Sequence, residues 1–304
     1  MRIIYFGTPE FAVPTLEILA DNGYEIPAVV TAPDKPGGRQ GMLQSAVKKA
    51  ALARGLRVMQ PEKMKNPDFL AELQSLGADL QIVVAFRMMP EAVWNMPPMG
   101  TLNLHGSLLP RYRGAAPINW AIINGEKETG ITTFLLKHEI DTGDVLFQER
   151  IPIGENETAG ELYERMMHQG AALVLRTVQA LEKDEAKPMP QNGEIVHAPK
   201  IFTETCRIDF AHTTEQVHNF IRGLSPHPGA WTVMDGKTLK IFRTAKMPPM
   251  RRALAPGTCV KDGHKHLKIS TSDGFVQILE LQEEGRRRME VGDFLNGYKG
   301  DFIL

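Results

Sequence analysis

Three polar residues of complementary chemistry lie in the middle third of this 304-residue chain. Asn103 and His105 stand two residues apart at the end of an apolar run typical of a β-strand. Asp141 follows in a short acidic turn that Gly143 closes. A carboxamide can stabilise an oxyanion, an imidazole can move a proton, and a carboxylate can orient that imidazole. These residues are therefore the candidates for acid–base chemistry on a group that becomes negatively charged.

The spacing of the first two candidates predicts a shared face. Residues i and i+2 of a strand point the same way, so Asn103 and His105 should project together from its carboxyl end. Ligands of open α/β sheets bind at that end of the strands. Simpler interpretations stay open on these grounds: a strand asparagine that satisfies the backbone, an ordinary histidine, and an Asp141 that only holds its own turn.

The elements that must position these residues alternate along residues 1–150. The predicted strands are Arg2–Phe6, Ile26–Thr31, Leu80–Phe86 and Thr101–Leu104. The predicted helices are Pro14–Asp21, Ser45–Arg54, Asp68–Gly77 and Pro117–Asn124. Such alternation predicts an α/β fold with a doubly wound, mostly parallel sheet covered by helices. Ile131–Leu136 and Asp144–Glu149 would form a late hairpin or sheet edge, and Ala159–Leu181 a long helix capped by Thr158 and Glu161.

The composition changes after the long helix. Lys183–Gly193 is polar and rich in turn residues, which indicates a linker. Beyond Ile208, short strand candidates separated by glycines predict a small β-barrel. They are Trp231–Met234, Leu239–Phe242, Leu267–Ser270 and Phe275–Leu281, preceded by a helix at Thr214–Leu224. We predict a catalytic domain over residues 1–182, a linker over 183–207 and a C-terminal domain over 208–304.

Several function classes are disfavoured. Gly7-Thr-Pro9 occupies the place of a dinucleotide fingerprint but lacks its second and third glycines, which argues against a nicotinamide or flavin nucleotide. We expect no metal, because neither the histidines nor Cys206 and Cys259 show ligand spacing. The net charge is −1. With no long apolar run and a strand-like start, we expect a cytoplasmic protein without a membrane span.

The run from Asn103 to Ile118, with the Asp141 turn at its expected distance, resembles the signature of the formyltetrahydrofolate-dependent formyltransferases. Phe6–Ala12 and Ala32–Arg39 agree with that family, and the resemblance covers nearly the whole chain. It implies a Rossmann-like catalytic domain followed by an OB-like β-barrel that binds tRNA. The residues Arg111–Ile118 indicate the branch of the family that acts on charged initiator tRNA.

The resemblance also implies the chemistry. A formyl group would pass from 10-formyltetrahydrofolate, the cosubstrate, to the α-amino group of methionine esterified to initiator tRNA, for translation initiation. Asn103 would donate to the formyl oxygen, His105 would donate to it or move a proton, and Asp141 would hold the imidazole. Which of His105 and Asp141 acts as the base stays open.

Binding residues follow from the same resemblance. The loop that would contact folate comprises Ser107, Leu108, Leu109 and Pro110. Arg39 matches the basic residue of the loop that enters the tRNA acceptor end, although Gln40 interrupts the usual Gly-Arg-Gly. Arg87 stands where the family more typically has glycine, which bears on the local shape of the folate pocket. The chain would act as a monomer.

Other functions stay open from the residues alone. A formyltransferase for a sugar amine or glycinamide ribonucleotide would share the fold, as would a formyltetrahydrofolate hydrolase. The appended β-domain and the Arg39 loop favour tRNA over these. A catalytically idle RNA-binding protein is a further alternative, which the complete set of Asn103, His105 and Asp141 disfavours.

Overall fold

The computed structural model describes residues 1–37, 41–248, 254–263 and 265–304. The chain divides into two compact units that alternate along the sequence. Unit 1 contains residues 1–113, 130–151 and 163–197, and unit 2 contains 114–129, 152–162 and 198–304. Within the described ranges, no helix is both long and apolar enough to cross a membrane.

Strands and helices alternate through the first half, and strands dominate the second. The strands are β1 (Arg2–Gly7), β2 (Glu25–Val30), β3 (Lys35–Pro36), β4 (Met42–Leu43), β5 (Val58–Met59), β6 (Leu80–Val84), β7 (Thr101–His105), β8 (Arg113–Gly114), β9 (Glu128–Leu135), β10 (Val145–Pro152), β11 (His197–Ala198), β12 (Ala230–Met234), β13 (Lys237–Met247), β14 (Cys259–Asp262), β15 (His266–Ser270), β16 (Phe275–Glu283) and β17 (Met289–Glu290). The α-helices are α1 (Val13–Asp21), α2 (Ala46–Ala53), α3 (Pro67–Ser75), α4 (Glu91–Trp94), α5 (Pro117–Ile123), α6 (Ala159–Glu182), α7 (Thr214–Gly223) and α8 (Val291–Gly297).

Unit 1 is built on a seven-stranded sheet with the order β10-β9-β7-β6-β1-β2-β5. Five neighbouring strands of this sheet pair in parallel, in the spatial order β5, β2, β1, β6 and β7. Strand β9 runs antiparallel to β7. The predicted Rossmann-like sheet is therefore confirmed, with the late strands β9 and β10 at one edge. This order places the carboxyl end of β7 between a parallel and an antiparallel neighbour.

Helix α6 packs close to the sheet on the side opposite to Asn103 and His105. A Cβ at Gly170 would lie 2.6 Å from Cδ2 of Leu104, so the absence of a side chain at Gly170 allows this close approach. Leu104 alternates with Asn103 and His105 along β7 and therefore points to the other face. The predicted start of α6 is confirmed, because the backbone N–H of Thr158 donates to Glu161 Oε2 at 2.8 Å in a capping box.

Unit 2 contains a six-stranded antiparallel sheet with the order β12-β13-β16-β15-β14, and β17 pairs with β16. This confirms the small β-domain predicted from the glycine-punctuated strand pattern. Its core joins apolar residues of the sheet to those of α7 and α8, among them Ile221, Ile241, Ile278 and Phe294. The elements not predicted were the shortest ones, together with β14 and α8.

The segment expected to be a linker divides between the two units. Residues 183–197 belong to unit 1, where Met189 and Val145 exchange backbone hydrogen bonds of 2.8 and 2.9 Å. The backbone N–H of Arg113 also donates to the carbonyl oxygen of Val196 at 2.9 Å. These contacts tie the first part of the segment to β10 and β8. The proposed domain boundaries remain a prediction about independent folding.

Neither cysteine has the environment of a reactive thiol. Cys206 is buried and Cys259 is half-buried, and both are free. Burial raises the pKa of both thiols, that of Cys259 to about 11. Both are therefore protonated at neutral pH, and their role is packing.

A histidine in unit 2 is buried in its neutral form. His218 of α7 is 1% exposed, and its Nδ1 lies 2.9 Å from Thr244 Oγ1. Burial, together with the positive charges of Arg222 and Lys246, lowers the pKa of His218 to about 4, although Glu215 acts in the opposite direction. Protonation of this side chain therefore favours the unfolded chain.

We predict that replacing His218 with glutamine flattens the dependence of stability on pH. Below about pH 6.5 the unfolded chain protonates His218, whereas the folded protein does so only near pH 4. Between these values the histidine should cost up to about 1.4 kcal/mol of unfolding free energy per pH unit of acidification. Urea unfolding of both proteins from pH 7.5 to 4.5 tests this, and parallel pH profiles would contradict it.

Candidate active site

Strand β7 carries the first two candidate residues. It lies inside the sheet, between its parallel neighbour β6 and its antiparallel neighbour β9. Asn103 is opposite Val83 on one side and Phe134 on the other, and His105 is opposite Thr132. Asn103 is half-buried, whereas His105 is 7% exposed. Within the described part of the chain, the Asn103 carboxamide has no hydrogen-bond partner, so its N–H groups are available to a ligand.

Both nitrogens of His105 face a protein oxygen. Nε2 lies 2.9 Å from the carbonyl oxygen of Tyr112, and Nδ1 lies 3.8 Å from Oδ2 of Asp141. A carbonyl oxygen only accepts, so the first contact places a hydrogen on Nε2. Nδ1 is then the nitrogen that can take up a proton beside the carboxylate. The structure thus brings together His105 and Asp141, which are 36 positions apart in the sequence.

The turn that carries Asp141 is held by a close backbone approach. Asp141 adopts a positive φ of 55°, and its side chain is only 12% exposed. A Cβ at Gly143 would lie 1.6 Å from the carbonyl oxygen of Leu135, so no other residue fits there without moving the turn. The hydroxyl of Thr142 donates to the carbonyl of Glu139 at 3.0 Å. Because Gly143 has no side chain, the Asp141 turn can lie directly against the backbone of β9.

The loop expected to contact folate is fixed by two polar residues on β9 and β10. Thr132 donates to the carbonyl of Ser107 at 2.6 Å and accepts from the N–H of Leu109 at 3.2 Å. Gln148 donates to the carbonyl of Leu109 at 2.8 Å. Ser107, Leu109 and Pro110 are buried, and Leu108 is half-buried. The backbone groups of Leu109 are therefore engaged within the protein, and these hydrogen bonds tie the loop to β9 and β10.

The two halves of the chain match two family models. The model described as formyl transferase matches residues 1–178, and the model described as formyl transferase, C-terminal domain, matches residues 200–299. A methionyl-tRNA formyltransferase of Bacteroides fragilis is 50% identical over 309 residues, covering 98% of this chain and 95% of that protein. The corresponding protein of Phocaeicola vulgatus is 52% identical over 312 residues, with coverages of 98% and 96%. The chain belongs to the methionyl-tRNA formyltransferase family.

Solved structures of formyltransferases share the fold. The N-formyltransferase of Helicobacter canadensis, solved with folinic acid and dTDP-3-aminofucose, matches with a TM-score of 0.70 and 22% identity. The match covers 92% of this chain and 98% of that one. At this identity the likeness supports the architecture, and the assignment to the methionyl-tRNA formyltransferase family rests on the sequence relatives.

Arg87, the residue that departs from the formyltransferase pattern, has a local structural role. Its guanidinium donates to the carbonyl of Glu62 at 3.0 Å and also to that of Pro61. It also lies 5.7 Å from the centre of the Phe86 ring. The side chain therefore ties the segment after β6 to the segment after β5, a role that a glycine could not perform.

The arginines whose charge could bear on phosphate contacts divide into two groups. Arg39, expected to contact tRNA, lies outside the described residues with its neighbour Gln40, as do Arg251 and Arg252. Within the described chain, Arg286 pairs with Glu283 at 2.7 Å, and Arg288 Nη2 donates to Glu280 Oε2 at 2.6 Å. The positive charge of these two arginines is thus balanced by neighbouring carboxylates.

Sequence reasoning missed one residue that contacts the site. Gln191 lies in the expected linker, yet its side chain binds the backbone of the Asp141 turn at 2.7 Å. Its surroundings in the sequence are polar and rich in proline, and they carry no periodicity. No signal in the sequence could have identified it, because its partners lie about 50 residues away.

We predict that Gly143→Ala reduces both stability and turnover. The added Cβ would overlap the carbonyl of Leu135, and relieving the overlap requires the Asp141 turn to move. Such overpacking typically costs about 1–3 kcal/mol of unfolding free energy. Gly292→Ala is the matched control, because a Cβ there meets nothing within 4 Å. Urea unfolding and turnover are measured for both variants. Equal unfolding free energies and equal turnover in Gly143→Ala and Gly292→Ala would disprove this expectation.

Proposed function

We propose that this chain transfers the formyl group of 10-formyltetrahydrofolate to the α-amino group of methionyl initiator tRNA. The observation that carries the proposal is the pairing of His105 with Asp141 beside Asn103, in a chain about half identical to methionyl-tRNA formyltransferases over nearly its full length. The formyl donor is a cosubstrate, and its chemistry requires no metal. Among the described residues, no cluster of His, Cys, Asp or Glu could hold one.

The reaction makes three electrostatic demands. The amine must attack in its uncharged form, the formyl oxygen becomes negative in the tetrahedral intermediate, and N10 of the folate must leave protonated. Within the described residues the carboxamide of Asn103 has no hydrogen-bond partner. It suits the second demand, because donation to the oxygen strengthens as negative charge develops. A contact of this kind raises turnover rather than substrate affinity.

His105 and Asp141 suit the proton transfers. With Nε2 donating to Tyr112, the imidazole can accept a proton at Nδ1 beside the Asp141 carboxylate, 3.8 Å away. The carboxylate stabilises the resulting positive charge and can itself share in removing the proton of the attacking amine. The same proton is then available for folate N10, with water as a bridge where the distance requires one.

The transfer is direct, without a covalent enzyme intermediate. Ser107 is the one hydroxyl residue in the segment from Asn103 to Pro110. It is fully buried, and its Oγ donates to the carbonyl of Arg111. A buried hydroxyl engaged in this way is not a nucleophile. We assign Ser107, Leu108, Leu109 and Pro110 to the wall of the folate site, with Leu108 the most accessible of them.

Formyl transfer to charged initiator tRNA tests the function directly. Labelled 10-formyltetrahydrofolate is mixed with the protein and methionyl initiator tRNA, with glycinamide ribonucleotide and a nucleotide-linked amino sugar as competing acceptors. We expect label on the tRNA alone. Faster transfer to either small acceptor, or release of formate without transfer, would overturn the proposal. A monomeric state and a cytoplasmic location remain predictions, testable by light scattering and cell fractionation.

We predict that Asn103→Ala, His105→Ala and Asp141→Ala each lower kcat strongly while substrate binding survives. All three face charge that develops only during the reaction, and loss of one such contact typically costs about 10²–10³ in kcat. Steady-state kinetics with each substrate at saturation check this. Loss of tRNA affinity with unchanged kcat would make these residues binding residues instead.

Arg39 lies outside the described residues, and its assignment to tRNA recognition is part of the proposal. The flanking strands β3 and β4 pair as an antiparallel ladder, with Lys35 opposite Leu43. We predict that Arg39→Ala reduces the preference for initiator tRNA and leaves the slow formylation of small methionine esters unchanged. Equal loss on both acceptors would indicate a role in folate binding or folding.

A further inference from the structure

One side-chain amide connects two segments that contact His105. Nε2 of Gln191 donates to the carbonyl of Asp141 at 2.7 Å and to the carbonyl of Gly143 at 2.9 Å. An amide nitrogen carries two hydrogens, so this pair of acceptors uses both. Gln191 therefore holds the backbone of the Asp141 turn at two carbonyl groups.

The oxygen of the same amide is equally occupied. Oε1 of Gln191 accepts from Nε of Arg113 at 3.1 Å and from its Nη2 at 2.6 Å. Two neighbouring donors of the planar guanidinium converge on this one acceptor, which restricts the orientation of the amide. Gln191 thus joins the Asp141 turn to the segment that follows the folate loop.

The two segments joined by Gln191 both contact the imidazole of His105. Arg113 directly follows Tyr112, whose carbonyl oxygen lies 2.9 Å from Nε2 of His105. On the other side, Nδ1 of His105 faces the carboxylate of Asp141 at 3.8 Å. A closed ring therefore runs from His105 through Tyr112, Arg113, Gln191 and Asp141 back to His105. All five residues of this ring lie in unit 1.

We propose that Gln191 is a positioning residue, which sets the placement of the Asp141 carboxylate relative to His105. The expected loss of kcat rests on the proposed function. The expected loosening of the Asp141 turn rests on the hydrogen bonds alone. Gln191 lies in the interval between the two matched family regions, which end at residue 178 and begin at residue 200. A residue outside both conserved models therefore completes the support of the candidate site.

Two substitutions of Gln191 should affect its hydrogen bonds differently. A methionine at position 191 has similar length but neither donates nor accepts strongly, so it would release both segments. A glutamate would keep an acceptor for Arg113 and strengthen that pairing. It would also place negative charge against two carbonyl oxygens that now receive hydrogen bonds. Both substitutions should therefore displace the Asp141 turn, although only the first weakens the contact with Arg113.

The experiment compares Gln191→Met and Gln191→Glu with wild type and with the control Gln282→Met. Gln282 is a matched control because it also donates from its side chain to a backbone carbonyl, that of Arg286, at a half-buried position in unit 2. We expect both Gln191 variants to lose about 10- to 100-fold in kcat with little change in KM, as displacement of a catalytic group does. The control should retain wild-type kcat.

A double-mutant cycle separates positioning from general stability. If Gln191 acts through Asp141, Gln191→Met should change kcat by less than about twofold in an Asp141→Ala background, because coupled residues are not additive. An undiminished loss in that background would overturn the inference. So would kcat values of the Gln191 variants equal to wild type.

Hydrogen exchange supplies a readout that does not depend on the reaction. The backbone amides of residues 139–145 should exchange faster in both Gln191 variants and at the wild-type rate in Gln282→Met. Unchanged protection of this turn would overturn the inference even if wild type is an active formyltransferase. If wild type transfers no formyl group, the proposed function fails, and the exchange measurement still decides whether Gln191 holds the turn.

Discussion

The hydrogen bond between His105 Nε2 and the carbonyl of Tyr112 determines how the candidate site can work. Because the carbonyl can only accept, the bond selects the nitrogen that carries a hydrogen and leaves Nδ1 to face Asp141. Other elements of unit 1 have to place these two groups on either side of one imidazole. The strand β7 supplies the imidazole, the loop after it supplies the carbonyl, and a turn beyond β9 supplies the carboxylate.

Close approaches at two glycines help to place the elements that surround His105. Gly143 allows the Asp141 turn to lie against the carbonyl of Leu135, and Gly170 allows α6 to lie against Leu104 on the other face of the sheet. Thr132 and Gln148 use their side chains to hold the backbone of the loop that follows β7. The site is thus supported by close contacts that leave little freedom to the residues that would face the substrate.

Much of this could be predicted from the sequence, for physical reasons. Strands such as β1 and β6 are buried on both faces and appear as largely apolar runs, so they were correctly predicted as strands. The shared face of Asn103 and His105 follows from the period of a strand. The pairing of His105 with Asp141 required the family resemblance, because contacts across 36 positions leave no local trace.

The rest could not be predicted, because it depends on contacts that have no pattern. The two-residue strands β5 and β8 are too short for periodicity to indicate them. Gln191 lies in a polar, proline-containing segment whose composition favours a linker, yet tertiary contacts order it. The buried histidine His218 likewise appears as an ordinary helix residue until its packing is known.

The most direct test is a crystal structure of this chain with folinic acid, the unreactive formyl-folate found in the Helicobacter canadensis structure. We expect the pterin to lie against the loop from Ser107 to Pro110, with the folate's N10 side directed to Asn103. A hydrogen-bond acceptor of the ligand or of a bound water should lie about 3 Å from Asn103 Nδ2. Folinic acid bound away from Asn103, His105 and Asp141 would contradict the assignment of the site.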